Sequence, residues 1–300
     1  MNHKEKTGVT LILIGTATYG LFPIFVKLGS SQTQPITFMA LSTLLAAICS
    51  FFYLALRKEF GFLKNRQAWP LIIYVTIFVV IIPYTLFCLG AARTSNLNTS
   101  MLLLAEIVFT LIFTHFIGEK TTLLKIAGSG AIFIGALFLL YKGKIYLNIG
   151  DILVILSTIT YPIGNFFAKK ALNIITPSAI LFSRFLLGGL FMLLIATILE
   201  PTAGIKSTLE TSWTSIILVG LISLAAGKIF YYEALKRLDI SKTISLGMTF
   251  PLFSLLVIVL FFKESINLYQ GIGVAIMMLG VYLSVKRPSV DPSLTKYSIT

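Results

Sequence analysis

The chain has 300 residues, of which 57% are hydrophobic and only 12% are charged. A typical soluble domain has about 25% charged residues, so this composition excludes an ordinary soluble enzyme and a disordered chain. The two cysteines, Cys49 and Cys88, and the two histidines, His3 and His115, are too few and too far apart for a disulfide framework or a metal site. The composition indicates a protein with several membrane-spanning helices.

Apolar runs of about 20 residues, the length of one helical crossing of a bilayer, occur repeatedly between charged or turn-rich breaks. The predicted spans are 8–28, 35–56, 69–92, 97–117, 122–141, 149–172, 177–199, 212–235, 241–262 and 267–285. The sequence therefore predicts an all-α integral membrane protein with ten transmembrane helices.

The basic residues predict how these spans are oriented. With the N-terminus in the cytoplasm, sixteen of the 24 Lys and Arg residues fall on the cytoplasmic side, six fall outside, and Arg184 and Lys228 lie within spans. Because basic residues concentrate in cytoplasmic loops, both termini are predicted to be cytoplasmic. The net charge of +13 is then a topology signal at an anionic lipid surface. Membrane lipids are expected partners and nucleic acid is not.

The two halves of the chain resemble each other. A shift of 145 residues places Gly128 and Gly135 on Gly273 and Gly280, and Glu119 on Glu264; a shift of 142 places Tyr19, Phe25, Lys27 and Pro35 on Tyr161, Phe167, Lys169 and Pro177. Each half holds five spans, and because five is odd, the second half enters the membrane from the opposite side. The predicted units are a first repeat at 1–146, a second repeat at 147–287 and a polar tail at 288–300.

The glycine and glutamate pairs have structural interpretations. Two glycines seven residues apart lie on one helix face, where they permit the close helix contact that drives association in lipid. Glu119 and Glu264 each precede a predicted helix, where a carboxylate is stabilised by the positive end of the helix dipole.

These stretches resemble the EamA family of the drug/metabolite transporter superfamily. The residues that carry the resemblance are 19–27, Glu119, Gly128 and Gly135 in the first half, and Pro177, 183–185, 232–235, Pro251, Glu264, Gly273 and Gly280 in the second. The resemblance implies two inverted five-helix repeats around a central cavity lined mainly by helices 1, 3, 4, 6, 8 and 9. Family members move amino acids and other small metabolites, many of them outward. This chain departs from the family pattern at Ile107, where a proline commonly follows the glutamate, and at Ser42, where an arginine is usual.

Three ionisable residues lie deep inside predicted spans, about seven or more residues from either end, where each costs at least ~2.5–3.5 kcal/mol unless it has a partner or a cavity. Lys228 is predicted to anchor a substrate carboxylate or phosphate. Glu106 is predicted to be the counter-charge for an amine or the carrier of a coupling proton; alternatively, it pairs with a cation and only holds helices together. Arg184 is interpreted as a structural charge, because the resemblance puts its helix at the periphery.

Aromatic and amide side chains at helical spacing supply the other candidate substrate-binding residues. They are Tyr19 and Phe22, Tyr84 and Phe87, Tyr161 and Asn165, and Tyr231 and Tyr232 beside Lys228. Such a ring could stack on a substrate or hold a quaternary amine by cation–π contact; alternatively, these residues only pack. Four prolines, at positions 23, 83, 162 and 251, are expected to bend their helices and to act as hinges.

The sequence predicts a secondary transporter for a small polar or zwitterionic metabolite, such as an amino acid, that works by alternating access as an exporter or exchanger. An alternative is uptake or exchange of a nucleoside-type metabolite such as S-adenosylmethionine, or of a quaternary amine. The alternative from a different class, a lipid-modifying membrane enzyme, would need clustered His or Asp residues, and His115 stands alone. A channel would need a repeated charged or carbonyl-rich filter, and the sequence shows none. The chain has no GxxxxGK[ST] motif, so it does not drive transport with ATP itself. No cofactor is expected. The predicted location is the inner membrane of a prokaryote, as a monomer or homodimer with protons as a candidate coupling ion.

Overall fold

A computed structural model describes residues 3–117, 122–141, 146–200, 204–235, 237, 247, 250–263 and 265–285, and this part of the chain is helical, without β-strands. The α-helices are α1 (His3–Gly20), α2 (Phe22–Gln32), α3 (Pro35–Leu56), α4 (Ala68–Thr76), α5 (Ile82–Ala91), α6 (Asn96–Met101), α7 (Ala105–Phe116), α8 (Leu123–Leu139), α9 (Ile149–Ile159), α10 (Tyr161–Leu172), α11 (Pro177–Leu199), α12 (Gly204–Ile217), α13 (Gly227–Leu235), α14 (Phe250–Val257) and α15 (Leu268–Val285). Short 3-10 turns cover Phe60–Lys64 and Leu102–Leu104, and π-helical turns cover Ile77–Ile81, Leu218–Ala226 and Ile258–Phe262.

Several of these elements join into helices that could cross a membrane. In the described part of the chain, seven are long and apolar enough: Lys6–Gln32, Pro35–Leu56, Ala68–Ala91, Asn96–Phe116, Ile149–Leu172, Pro177–Leu199 and Gly204–Tyr231. Three shorter apolar helices cover Leu123–Leu139, Phe250–Phe262 and Leu268–Ser284. Each helix overlaps one predicted span, so the predicted multi-pass, all-helical class is confirmed, whereas ten crossings and their orientation stay predictions.

The eighth predicted span differs most from the structure. It was expected to begin at residue 212, but its helix begins at Gly204, and Ser212 has non-helical dihedral angles. The added turns carry Lys206 and Glu210, which are exposed and lie 3.9 Å apart. A polar, solvated helix extension has no apolar run, and hydropathy therefore misses it. The start of the ninth predicted span and both helix-starting glutamates, Glu119 and Glu264, lie outside the described residues.

The long helices are interrupted in corresponding helices of the two halves. The first breaks at Leu21, just before Pro23, and the sixth breaks at Thr160, just before Pro162. Proline cannot donate the backbone hydrogen bond that would continue the helix, which accounts for these two breaks; that the helices bend there stays a prediction. The third helix of each half instead contains a π-helical turn, Ile77–Ile81 in one and Leu218–Ala226 in the other. Such turns are frequent at functional sites.

The fifth helix of each half, α8 and α15, meet through the predicted glycine pairs. A Cβ added at Gly128 would lie 2.5 Å from the carbonyl oxygen of Gly280, and one added at Gly135 would lie 2.7 Å from that of Gly273. The backbones therefore touch, as the spacing of the glycines predicted. The earlier glycine of one helix faces the later glycine of the other, so these equivalent helices run antiparallel, which is the arrangement expected of inverted repeats.

The second helices of the halves, α3 and α11, are capped reciprocally. Glu200, which follows α11, accepts hydrogen bonds from the backbone N–H groups of Ile36 and Thr37, both at 2.8 Å, at the start of α3. Glu59, which follows α3, accepts a hydrogen bond from the hydroxyl of Ser178 at the start of α11. Each half thus satisfies free donors of the other half where a helix begins.

The glycine contact gives a stability prediction. Gly135→Leu places a side chain where the backbone of α15 lies, and overpacking of this kind costs about 1–3 kcal/mol or more. We expect a lower midpoint of thermal unfolding in detergent. The matched control is Gly130→Leu on the same helix, where an added Cβ meets no atom within 4 Å. Equal midpoints for the two variants would show that the glycine contact does not hold the halves together.

Candidate functional site

A cavity lies between the two halves, where α1, α5, α7, α10, α11, α13 and α14 approach one another. Its volume is about 200 Å³, which is smaller than the roughly 300–1,000 Å³ of pockets for drug-sized ligands. The residues that line it are Gly15, Thr16, Tyr19, Val79, Tyr84, Glu106, Tyr161, Asn165, Arg184, Gly227, Lys228, Tyr231, Gly247 and Phe250. Tyr19, Glu106 and Tyr161 lie near the midpoints of their membrane-length helices.

Seven of the ten predicted substrate-binding residues line this cavity: Tyr19, Tyr84, Glu106, Tyr161, Asn165, Lys228 and Tyr231. The structure therefore brings these seven residues, which are separate in sequence, to one cavity. Phe22 and Phe87 do not line it, and the side chain of Tyr232 lies outside the described residues. That the seven residues bind a substrate stays a prediction.

Lys228 and Glu106 come from opposite halves of the chain. The ammonium nitrogen of Lys228 lies 3.8 Å from the ring centroid of Tyr19, which is a cation–π contact. The Glu106 carboxylate accepts a hydrogen bond from the amide of Asn165 at 3.4 Å. The Glu106 charge attracts Lys228 and the Arg184 charge repels it. Among the described residues, no carboxylate lies within the 4.0 Å of an ion pair from Lys228 or Arg184.

Arg184 reaches the cavity wall, whereas the resemblance had placed its helix at the periphery of the bundle. Its side chain is only 5% exposed, and its guanidinium carbon lies 4.8 Å from the ring centroid of Phe185. Arginine has a long side chain, so its guanidinium can reach the cavity even from a helix at the periphery. The position of the helix alone therefore does not predict this contact. Its Nε and Nη2 groups have no hydrogen-bond partner in the part of the chain that the structure describes.

An aromatic stack closes one side of the cavity. The ring of Phe22 is stacked between Tyr19, at 5.4 Å between centroids, and Phe87, at 5.3 Å, and it is tilted against Tyr84 at 5.8 Å. Tyr19 also meets Phe250 edge-on at 5.6 Å. Phe22 and Phe87 are fully buried. The sequence predicts that these two phenylalanines contact a substrate. In the structure they lie behind the cavity-lining tyrosines and support them.

Local helix irregularities position the cavity residues. The break at Thr160 starts α10 at Tyr161, whose hydroxyl lies in the cavity without a partner among the described residues. The 3-10 turn Leu102–Leu104 tightens the helix just before Glu106. These irregularities aim side chains in directions that a regular 3.6-residue period does not give.

Glu233 ties the halves together away from the cavity. Its position near Lys236 and Arg237 at the end of a predicted span predicts an interfacial ion pair. Its carboxylate lies 2.7 Å from Arg237 and 2.5 Å from Arg57, and it accepts a hydrogen bond from the hydroxyl of Tyr53 at 2.6 Å. The pairing with Arg237 confirms the prediction. The contacts with Arg57 and Tyr53, which are 176 and 180 residues away in sequence, were not predicted.

Buried Asp151 makes a second polar tie between the halves. It forms a capping box with Asn148 at the start of α9, and its Oδ1 accepts hydrogen bonds from Asn98 at 2.8 Å and from the hydroxyl of Thr94. The described residues contain no group of three or more His, Cys, Asp or Glu side chains that could hold a metal ion.

The sequence matches one family over nearly its whole length. The profile of the EamA-like transporter family fits residues 6–141 and again residues 148–286. The two matches coincide with the two halves inferred from the internal repeat.

Relatives with transporter names cover most of the chain. An uncharacterized transporter of Methanothermobacter thermautotrophicus is 26% identical over 93% of this chain and 86% of its own length. The uncharacterized transporter YoaV of Bacillus subtilis is 23% identical over 91% of this chain and 94% of its own. One crystal structure, 13% identical in sequence, superposes with a TM-score of 0.67 over 93% of this chain and 96% of that one. Its likeness supports the fold.

Proposed function

Because the chain belongs to the EamA-like transporter family, we propose that it is a secondary transporter of a small zwitterionic metabolite, such as an amino acid or a related compound. The protein is a transporter rather than an enzyme. In this proposal ten helices cross the cytoplasmic membrane of a prokaryote, both termini lie inside, and the substrate is exported or exchanged. The excess of basic residues on the predicted cytoplasmic side supports the orientation.

One observation carries the proposal: a carboxylate from the first half and an ammonium from the second line one cavity without forming an ion pair. Glu106 and Lys228 line the same cavity. Charges at membrane depth are costly unless they meet counter-charges or solvent. An amino acid presents an ammonium to Glu106 and a carboxylate to Lys228, and it thereby supplies both counter-charges at once.

Alternating access follows from where these two groups stand. A bound zwitterion contacts both halves of the chain, so it stabilises arrangements in which the halves close around it. The breaks before Pro23 and Pro162 and the two π-helical turns lie in helices that contribute to the cavity. They are the positions at which these helices would bend as one side closes and the other opens.

A second candidate substrate is a quaternary amine or a nucleoside-type metabolite such as S-adenosylmethionine. The observation in its favour is the group of tyrosines at positions 19, 84, 161 and 231 around Glu106, because aromatic faces and a carboxylate together bind cations. Lys228 already lies over the face of Tyr19, and this cation would repel a cationic ligand. The zwitterion is therefore the preferred substrate.

A ligand screen tests the proposal directly. The purified protein is heated in the presence of single amino acids, choline, S-adenosylmethionine or glucose, and its unfolding midpoint is measured. A ligand at 100 times its Kd adds about 2.7 kcal/mol to the free energy of unfolding, and we expect this stabilisation from an amino acid. Stabilisation by choline or S-adenosylmethionine alone would support the second candidate. Stabilisation by glucose alone would contradict both.

Lys228→Ala tests the carboxylate anchor. Hydrogen bonds to charged groups contribute about 1.5–3 kcal/mol, so we expect the Kd of the stabilising amino acid to rise about 10- to 100-fold. Lys169→Ala is the matched control, since Lys169 is an exposed cation that does not line the cavity. Unchanged affinity in Lys228→Ala would assign this lysine a structural role.

Glu106→Gln tests proton coupling. Glu106 is the only acidic residue in the described cavity wall, and glutamine keeps an oxygen that can accept the hydrogen bond from Asn165. In proteoliposomes, we expect the variant to exchange labelled for unlabelled substrate at equal pH with a weaker affinity, because the counter-charge for the ammonium is lost, and to lose uptake driven by an imposed pH gradient. Glu210→Gln, at an exposed position, should behave as the parent. A variant that still responds to the gradient would exclude Glu106 as the proton carrier.

A further inference from the structure

Arg184 is the cavity residue that the zwitterion proposal leaves without a role. Its side chain is 95% buried, it lines the cavity, and its Nε and Nη2 donors have no partner among the described residues. A buried cation without a counter-charge is strongly destabilising. Unlike Glu233, whose charge is balanced by Arg57 and Arg237, Arg184 shows no neighbour that would explain a purely structural charge.

The cavity carries an excess of one positive charge. Its described wall contains two cations, Arg184 and Lys228, and one carboxylate, Glu106. A zwitterion with no net charge satisfies Lys228 and Glu106 and leaves Arg184 unpaired. A ligand that meets all three groups must carry two anionic groups and one cationic group.

We propose, building on the function proposed above, that the substrate is an acidic amino acid or a close analogue, with two carboxylates, one ammonium and a net charge of −1. Lys228 binds one carboxylate, Glu106 binds the ammonium, and Arg184 binds the second carboxylate. The planar guanidinium presents parallel N–H donors that match the two oxygens of a carboxylate. The unpartnered hydroxyl of Tyr161 supplies one more donor in the same cavity.

A simple monoanion has the same net charge as an acidic amino acid, but it pairs with only one of the two cations and leaves Glu106 without an ammonium partner. Such a ligand would require Glu106 to neutralise one of the cations, yet no ion pair within 4.0 Å joins Glu106 to Lys228 or Arg184 in the described structure. The hydrogen bond to Glu106 comes instead from the neutral amide of Asn165. The carboxylate therefore remains available to an ammonium group.

Size supports the same class of ligand. A cavity of about 200 Å³ suits a compact metabolite with closely spaced charged groups. A nucleotide or a peptide would need a larger space.

The test compares amino acids of matched shape and different charge. The full-length protein is reconstituted into proteoliposomes. These are loaded with unlabelled L-aspartate or L-asparagine, and exchange against the labelled form of the same compound is measured. L-glutamate and L-glutamine form a second pair. Succinate, which lacks the ammonium, and propionate, which is a monoanion, serve as competitors. We expect exchange of the acidic member of a pair, at least tenfold tighter binding of that member than of its amide, and weak competition by both ammonium-free acids.

The Arg184→Gln variant tests whether this residue causes the preference for the acidic member of each pair over its amide. We expect the ratio of acidic to amide affinity to fall about 10- to 100-fold. Arg184→Lys keeps the charge without the planar fork, and we expect it to restore part of the ratio. Lys169→Gln is the control for loss of an exposed cation outside the cavity, and its ratio should equal that of the parent.

The outcomes separate this inference from the proposed function. If the parent exchanges asparagine or glutamine with the same affinity as the acidic member of the pair, the proposed site for a second carboxylate is wrong, and the proposal of a zwitterion transporter stands. If propionate or succinate competes as strongly as aspartate, the ammonium site at Glu106 is wrong. If the parent exchanges none of the four amino acids and none of them raises its unfolding midpoint, the acidic substrate is wrong, and the zwitterion proposal is decided by the remaining amino acids of the ligand screen. Should Arg184→Gln not fold, the preference of the parent and of Arg184→Lys still decides the inference.

Discussion

The bilayer interior solvates neither a charge nor a free backbone group, and this constraint governs how the chain is built. Where helices begin, donors are satisfied by carboxylates from the other half of the chain, as Glu200 does for Ile36 and Thr37. In lipid the hydrophobic effect does not drive helices together. Helices α8 and α15 instead pack closely at Gly128 and Gly280, where their backbones touch. Glu106, Arg184 and Lys228, which form no ion pair among the described residues, line one cavity, and the proposed substrate site would account for their arrangement.

Polar ties between the halves lie away from the cavity and leave its charges unpaired. Glu233 gathers Arg57, Arg237 and Tyr53, whereas buried Asp151 joins Thr94 and Asn98 to the start of α9. Removing one partner of such a buried contact costs more than the contact itself contributes. In the proposed alternating-access cycle, a tie on the opening side would exchange its protein partners for water while the other tie persists, as in a bundle with discrete states.

The sequence predicts helices, repeats and most of the cavity, because each leaves a local pattern. Apolar length marks spans, and Tyr19 and Tyr161 occupy equivalent positions in the two repeats. The prediction fails where helical spacing does not distinguish a lining side chain from a supporting one, or where contact is distant in sequence. Phe22 stacks on Tyr19 but is fully buried and does not line the cavity. The cap on α3 escapes a sequence reading because Glu200 and Thr37 are 163 residues apart.

Arg184 shows how a departure from local rules carries functional information. Natural sequences satisfy buried polar groups almost everywhere, and the exceptions are expected at functional sites. A neutral residue at this position would remove the unpaired buried charge and would be expected to stabilise the resting protein. The charge is therefore most simply understood through a state in which it is paired. The described residues offer it no carboxylate, and in the proposed complex the partner is an anionic group of the ligand, so that the cost of the unpaired charge in the empty cavity would become binding energy when this group enters.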